Sequence, residues 1–196
     1  MSAVRVSGRV RRLGWWGCAL VLWAAGCEHT VAPAAPVDLR GNAVDPFAAR
    51  AKATVLVFVT TECPVSNRYA PEVRRVHEHF EKLGAKFFLV YPSRLDSVPE
   101  IRAHLAEYEY VLPALRDPDG VLVKRGKAVR TPEAAVFGPR GELEYSGRID
   151  DRFVDFGQER LAPASRDLED ALDAVLSGRK VVPARREAVG CTIVQR

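Results

Sequence analysis

Thr54-Val55-Leu56-Val57-Phe58-Val59-Thr60-Thr61-Glu62-Cys63-Pro64-Val65-Ser66 is the stretch whose reading decides the fold. Residues 54–59 form a nearly continuous apolar run, rich in β-branched side chains. That pattern predicts a short strand buried on both faces. Beyond it, Tyr69, Val73, Val76, Phe80 and Leu83 recur at helical spacing along one stripe, and Gly84 stops the helix. Lys86-Phe87-Phe88-Leu89-Val90-Tyr91 reads as a second buried strand. Two such strands joined by a helix form a right-handed parallel crossover. Cys63 falls at its first strand-to-helix turn.

Further along, Ser97-Val98-Pro99-Glu100 is a capping box. It opens a helix whose inner face is read as Val98, Ile101, Leu105 and Tyr108. A short strand is read over 111–115, a turn at Asp117-Pro118-Asp119-Gly120, and a short helix over 121–127. Ala134-Ala135-Val136-Phe137 and Glu142-Leu143-Glu144-Tyr145 flank the turn Gly138-Pro139-Arg140-Gly141, which predicts an antiparallel hairpin. A last helix begins near Ser165, carries Asp167, Glu169 and Asp170 in its first turns, buries Leu168, Ala171, Leu172, Val175 and Leu176, and ends at Gly178. The order strand, helix, strand, helix, hairpin, helix places the chain in the α/β class, with a mixed sheet covered on both faces.

The N-terminus reads as an export leader. Arg5, Arg9, Arg11 and Arg12 form a basic region, and an apolar run from Leu13 to Ala25 follows, too short for a comfortable membrane span. Its end, Leu22-Trp23-Ala24-Ala25-Gly26-Cys27, resembles a lipobox, although Ala24 stands where Leu is usual. Cleavage before Cys27 leaves that residue as the lipid-bearing terminus of an exported, membrane-anchored lipoprotein on the periplasmic face. The expected organisation is a signal peptide over 1–26, an Ala/Pro-rich tether over 27–45, a folded domain over 46–180 and a tail over 181–196. The leader takes four of the 29 basic residues and no acid, so 25 basic residues face 25 acidic ones in the mature chain. No basic domain remains to argue for nucleic acid. Cys18 leaves with the leader and Cys27 is lipidated. Cys63 and Cys191 then form one pair in a compartment where disulfides persist.

A cysteine at the N-terminus of a helix meets free N–H groups and the positive helix end, which favour a thiolate, the nucleophile of disulfide and peroxide chemistry. Glu62 works against this, because a neighbouring negative charge raises a thiol's pKa. By position alone, Cys63 fits a buried structural cysteine equally well. Cys191, in Val189-Gly190-Cys191-Thr192-Ile193, lies past the last helix on a tail expected to be mobile. It reads either as a resolving cysteine that closes onto Cys63 or as half of a permanent staple. His77 and His79 stand at i, i+2 and do not share a helix face, so a solvated surface is expected. His104 is read as a further helix-surface residue, and His29 lies in the tether. Cys63, Cys191 and one His form a conceivable copper(I) set that no spacing selects. Asp150 and Asp151 are read as active-site rim or loop caps, and Lys124-Arg125-Gly126-Lys127 as a solvated basic turn. Neither a cofactor nor a metal site is expected.

Over about residues 45–180 the arrangement resembles the thioredoxin superfamily, in the branch of alkyl hydroperoxide reductase and thiol-specific antioxidant (AhpC/TSA) proteins. Cys63-Pro64-Val65-Ser66 stands where thioredoxins have CxxC, and Pro71 where they kink their first helix. Thr131-Pro132 stands where they have a cis-proline facing the active cysteine, and Gly141 to Asp151, with Tyr145-Ser146-Gly147-Arg148-Ile149-Asp150-Asp151, looks like the end of a redoxin hairpin. The resemblance implies a thioredoxin-like three-layer α/β/α sandwich with a mixed central sheet. It implies that Ser66, Thr131 and Pro132 dock a partner's backbone. Ser66 replaces the second cysteine, so a local disulfide is impossible. Of the peroxiredoxin PxxxTxxC, Thr60 fits but Leu56 stands in place of Pro, and the peroxide-polarising arginine is either Arg130 or Arg148. The implied function is a thiol–disulfide oxidoreductase acting through Cys63, with Cys191, on exported partner proteins and served by an external thiol reductant. The alternatives are a thiol peroxidase using Cys63, Thr60 and Arg130 on small hydroperoxides, and a non-enzymatic copper carrier or assembly factor.

Overall fold

The computed structural model describes residues 34–194, with Ala3 alone before them. The leader, Cys18, Cys27, His29 and the first part of the expected tether lie outside the described residues. The elements run β1 (Val37–Asp38), β2 (Ala53–Phe58), α1 (Pro64–Glu81), β3 (Ala85–Tyr91), α2 (Val98–Glu107), β4 (Ala114–Arg116), α3 (Val121–Gly126), β5 (Arg130–Thr131), β6 (Glu133–Phe137), β7 (Leu143–Gly147), β8 (Phe153–Asp155), β9 (Gln158–Glu159), α4 (Asp167–Leu176), β10 (Arg185–Arg186) and β11 (Cys191–Thr192). Seven strands form one mixed sheet in the order β1-β4-β3-β2-β6-β7-β10. β2 is parallel to β3 and antiparallel to β6, which puts it at the centre.

All six residues of β2 are buried, as its unbroken apolar sequence requires. Side chains alternate across a strand, so β2 feeds two cores. Val55 and Val57 pack with Val73 and Phe80 of α1, Ile101 of α2 and Leu172 of α4. Leu56 and Phe58 pack on the opposite face with Leu122 and Val123 of α3. The result is the expected thioredoxin-like three-layer α/β/α sandwich with a mixed central sheet.

Four sequence expectations are corrected. Val37 and Asp38, read as tether, pair with β4 at the sheet edge. The tail is ordered along the domain, because Arg185 and Arg186 pair in parallel with Ser146 and Gly147 of β7. Gly147 permits this approach: its φ is +150°, and a Cβ there would lie 2.0 Å from the Arg186 carbonyl oxygen. His77 is buried rather than solvated and packs on Phe87. His104 is also buried, and with Ile101 it forms the inner face of α2. The helix turns a hydrogen-bonding side chain inward, while Leu105 and Tyr108 pack partly buried against the same core.

Candidate active site

Cys63 is the N-cap residue of α1. Its backbone is extended, and its sulfur accepts from the Ser66 N–H at 3.5 Å. Pro64 takes the first helical turn, where a missing N–H costs nothing. The sulfur therefore occupies the place of the oxygen that usually caps a helix, at the positive end of an 18-residue dipole. Cys63 is 1% exposed. Its thiol donates to the Thr131 carbonyl at 3.1 Å, and the Thr131–Pro132 bond is cis.

The Ser66 and Thr131 hydroxyls are buried and have no hydrogen-bond partner. Both lie close enough to the Cys63 sulfur to favour its thiolate. Burial alone pushes the Cys63 thiol up. Hydrogen bonds from Cys191, from the Ser66 hydroxyl and N–H, and from Thr131 outweigh it, and the net pKa lies below that of an ordinary thiol. The Thr131 carbonyl serves the protonated form, whereas the two hydroxyls serve the thiolate. Glu62, expected to oppose the thiolate, is exposed, where solvent and salt screen its charge.

β11 brings the second cysteine. It pairs antiparallel with β5, placing Cys191 opposite Thr131 and Thr192 opposite Arg130. Both cysteines are free thiols, and the Cys191 thiol hydrogen-bonds to the Cys63 sulfur. Burial, that hydrogen bond and the charge of Cys63 push Cys191 up to about 12. The two sulfurs therefore meet with their acidities driven apart.

Around the Cys63 loop runs a polar chain that sequence reading missed. Asn67 Nδ2 donates to the Thr61 carbonyl at 3.1 Å, so its Oδ1 faces His104 Nε2 at 2.9 Å. Nε2 must then carry the proton, and the Tyr91 hydroxyl donates to His104 Nδ1 at 2.8 Å. Burial lowers the His104 pKa, consistent with this neutral ring. On the other side of the loop, Thr61 Oγ1 donates to the buried Asp96 at 2.6 Å. Across from it, the fully buried Glu133 accepts from the Val129 N–H at 2.6 Å and holds β5 in place. A helical i, i+3 pairing of Ile101 with His104 was the available signal for His104. Asp96 and Glu133 gave no comparable sign, since their partners are distant in sequence or lie on the backbone.

The remaining candidates are dispersed. The Thr60 carbonyl accepts from the Cys63 N–H at 3.4 Å, and Thr60 lines a cleft with Pro92, Leu95 and Pro118. Arg130 reaches the Gly190 carbonyl at 3.4 Å. Arg148 is paired with Asp167 at 2.7 Å and Ser165 at 3.1 Å. Neither guanidinium is hydrogen-bonded to the Cys63 sulfur. Asp150 accepts from the buried Tyr69 hydroxyl, and Asp151 from the Ala164 and Ser165 N–H groups, so both bracket loops. Arg125, read as part of a solvated turn, lies 3.5 Å from the centre of the Phe47 ring. Among the described residues no group of three or more His, Cys, Asp or Glu stands together as a metal set.

The AhpC/TSA family profile matches residues 29–146. That span holds Cys63, Ser66, Thr131 and Pro132, and Cys191 lies beyond it. No curated protein matches the chain. Among solved structures, an uncharacterized conserved protein from Geobacillus kaustophilus is 25% identical, with 84% of this chain and 89% of that one covered at a TM-score of 0.69. A hypothetical protein from Sinorhizobium meliloti is 22% identical, with 83% and 90% covered at 0.69. A secreted Mycobacterium tuberculosis disulfide oxidoreductase homologous to E. coli DsbE is 22% identical, with 72% and 96% covered at 0.51. The last two likenesses concern the fold.

Proposed function

The chain belongs to the AhpC/TSA family, and from that premise we propose that it is a thiol–disulfide oxidoreductase acting through Cys63 on disulfides of exported partner proteins. The observation that carries this is the placement of two free thiols at one site, Cys63 at the N-terminus of α1 and Cys191 on the strand that pairs with Thr131. Groups whose environments push their pKa values apart divide the chemistry between them. Cys63 is the thiolate and attacks one sulfur of a partner disulfide. A Cys63–partner bond forms, the partner's sulfur–sulfur bond breaks, and the released thiolate takes a proton from solvent.

Mixed-disulfide formation removes the charge on Cys63. Two of the three influences holding Cys191 near 12, the hydrogen bond and the charge of Cys63, are lost with it. Cys191 then gives up its proton and attacks Cys63. The partner's second sulfur leaves as a thiol, and Cys63–Cys191 closes. Two electrons have passed to the partner, and an external thiol reductant restores the pair. The reverse sequence oxidises a partner dithiol with the same residues. Ser66, Thr131 and Pro132 form the docking side of the site. The leader over 1–26, a lipid on Cys27 and anchoring at the periplasmic face complete the proposal, with the redoxin domain over 46–180 and the tail carrying Cys191.

Non-reducing peptide mass spectrometry of the purified chain tests it. The expected result is a Cys63–Cys191 link that opens with dithiothreitol and re-forms with a protein or small-molecule disulfide. Cysteines that stay unlinked under every condition would refute the two-cysteine cycle. Re-formation with equimolar hydrogen peroxide but not with a disulfide would favour the thiol peroxidase. Stoichiometric copper(I) binding lost in Cys63→Ser would favour the carrier.

A further inference from the structure

The edge of β5 is already occupied by a peptide strand, and that strand is the chain's own tail. Cys191 faces Thr131 and Thr192 faces Arg130 in antiparallel register, and the Ile193 N–H donates to the Val129 carbonyl at 2.9 Å. Arg130 clamps the strand from its side chain onto the Gly190 carbonyl. The strand alternates as a bound peptide does: Cys191 turns to the sulfur of Cys63, Thr192 faces solvent, and Ile193 packs on the core of Leu56, Phe58 and Leu115. Past Ile193 opens a cleft of about 490 Å³ lined by Pro92, Leu95, Pro118 and Val194.

Gly190 sets the entry condition. A Cβ there would lie 1.9 Å from the Thr131 carbonyl oxygen and 2.7 Å from its carbon. These are backbone atoms of the loop that faces Cys63, so they cannot yield as a flexible side chain would. A strand seated in this register has no room for a Cβ on the residue before its cysteine.

We propose that Gly190–Ile193 is an internal strand ligand of the docking edge, and that partners recognised here present an extended Gly-Cys-polar-apolar segment that takes its place. This rests on the oxidoreductase reading and adds the class of segment it accepts. Tail and partner exclude one another, because Thr131 offers one edge. The tethered tail competes at the high effective concentration of an intramolecular ligand. Its return after partner attack restores the ladder and brings Cys191 back to Cys63.

The test uses the full chain and a fluorescein-labelled peptide Ala-Val-Gly-Ser-Thr-Ile-Val, whose serine removes all sulfur chemistry. Gly190→Val is expected to undock the tail, seen as faster alkylation of Cys63. It should bind the peptide about tenfold or more tighter than wild type, by anisotropy. A peptide with valine for its glycine should bind neither protein. Ile193→Asp, which removes the apolar anchor instead, should behave like Gly190→Val and covers a failure of that variant to fold. Equal peptide binding by wild type and variants overturns the proposal. So does unchanged Cys63 alkylation in the variants, no binding by an undocked variant, or binding of the valine peptide. Because the peptide carries no sulfur, these failures leave the Cys63–Cys191 cycle standing. Failure of that cycle is read separately, from the disulfide mapping.

Discussion

Thr131→Val isolates the hydroxyl that stabilises the Cys63 thiolate. The Thr131 hydroxyl is buried beside the sulfur and has no hydrogen-bond partner while Cys63 is a thiol, which leaves it free to donate to the thiolate. Valine keeps the branched shape and the backbone carbonyl while deleting this one donor. A hydrogen bond to a charged group contributes about 1.5–3 kcal/mol. At about 1.4 kcal/mol per pKa unit, its loss raises the Cys63 pKa by about one to two units. The assay is thiolate absorbance at 240 nm against pH. The first step belongs mainly to Cys63, because Cys191 is pushed up to about 12. That step should move upward in Thr131→Val and stay in place in Thr131→Ser.

Stability supplies a second readout with a fixed sign. A thiol whose folded pKa lies below its unfolded value adds stability as pH rises from the first to the second, and loses it as pH falls back through the folded value. Wild type should therefore gain on Thr131→Val in urea titrations only above the folded pKa of Cys63. At lower pH the variant should match or exceed wild type, since it no longer buries an unpartnered hydroxyl. A Thr131→Val titration that superimposes on wild type would refute the donor assignment. An equal rise in Thr131→Ser would show that packing, not the hydroxyl, sets the value.

Three further outcomes are expected. Burial raises the Asp96 carboxyl, a shift that costs stability as pH rises above its unfolded value, so Asp96→Asn should raise the urea midpoint at pH 7 more than at pH 4. Asp117 is fully buried and accepts from the Val121, Leu122 and Val123 N–H groups at 2.8, 2.9 and 3.0 Å. Asp117→Ala orphans these donors and should cost about 3 kcal/mol or more by urea unfolding. Burial depresses the His104 pKa, so wild type should lose stability as pH falls through the unfolded value near 6.5, and His104→Gln should flatten that slope in thermal scans between pH 7 and 5.

The central fold was legible because its elements carry strong local signals. β2 is an unbroken apolar run, α1 buries the stripe Tyr69, Val73, Val76 and Phe80, with Leu83 exposed beyond its end, and the Ser97–Glu100 capping box is formed as the sequence predicts. Cys63 was legible for the same reason, as the residue between a buried strand and a helix start. What was hidden is non-local. β1, β10 and β11 are two residues each, too short to show any period, and exist only because a neighbouring edge accepts them. Glu133 and Asp96 are carboxylates whose partners are backbone or distant side chains, which no spacing rule encodes.

The placement of the second cysteine follows from the same physics. Ser66 lies in the first turn of α1, beside the Cys63 sulfur, and supplies a hydroxyl there instead of a thiol. A second thiol at that position would share the helix dipole with Cys63 and be drawn toward the same acidity. On β11, Cys191 has no helix N-terminus behind it, is partly desolvated and faces the charge of Cys63, so its pKa moves the other way. In the proposed cycle, a second cysteine on a strand rather than on α1 separates attacker from resolver by environment. Resolution in that cycle would then depend on the β5–β11 ladder, because it is this pairing that sets Cys191 opposite Thr131.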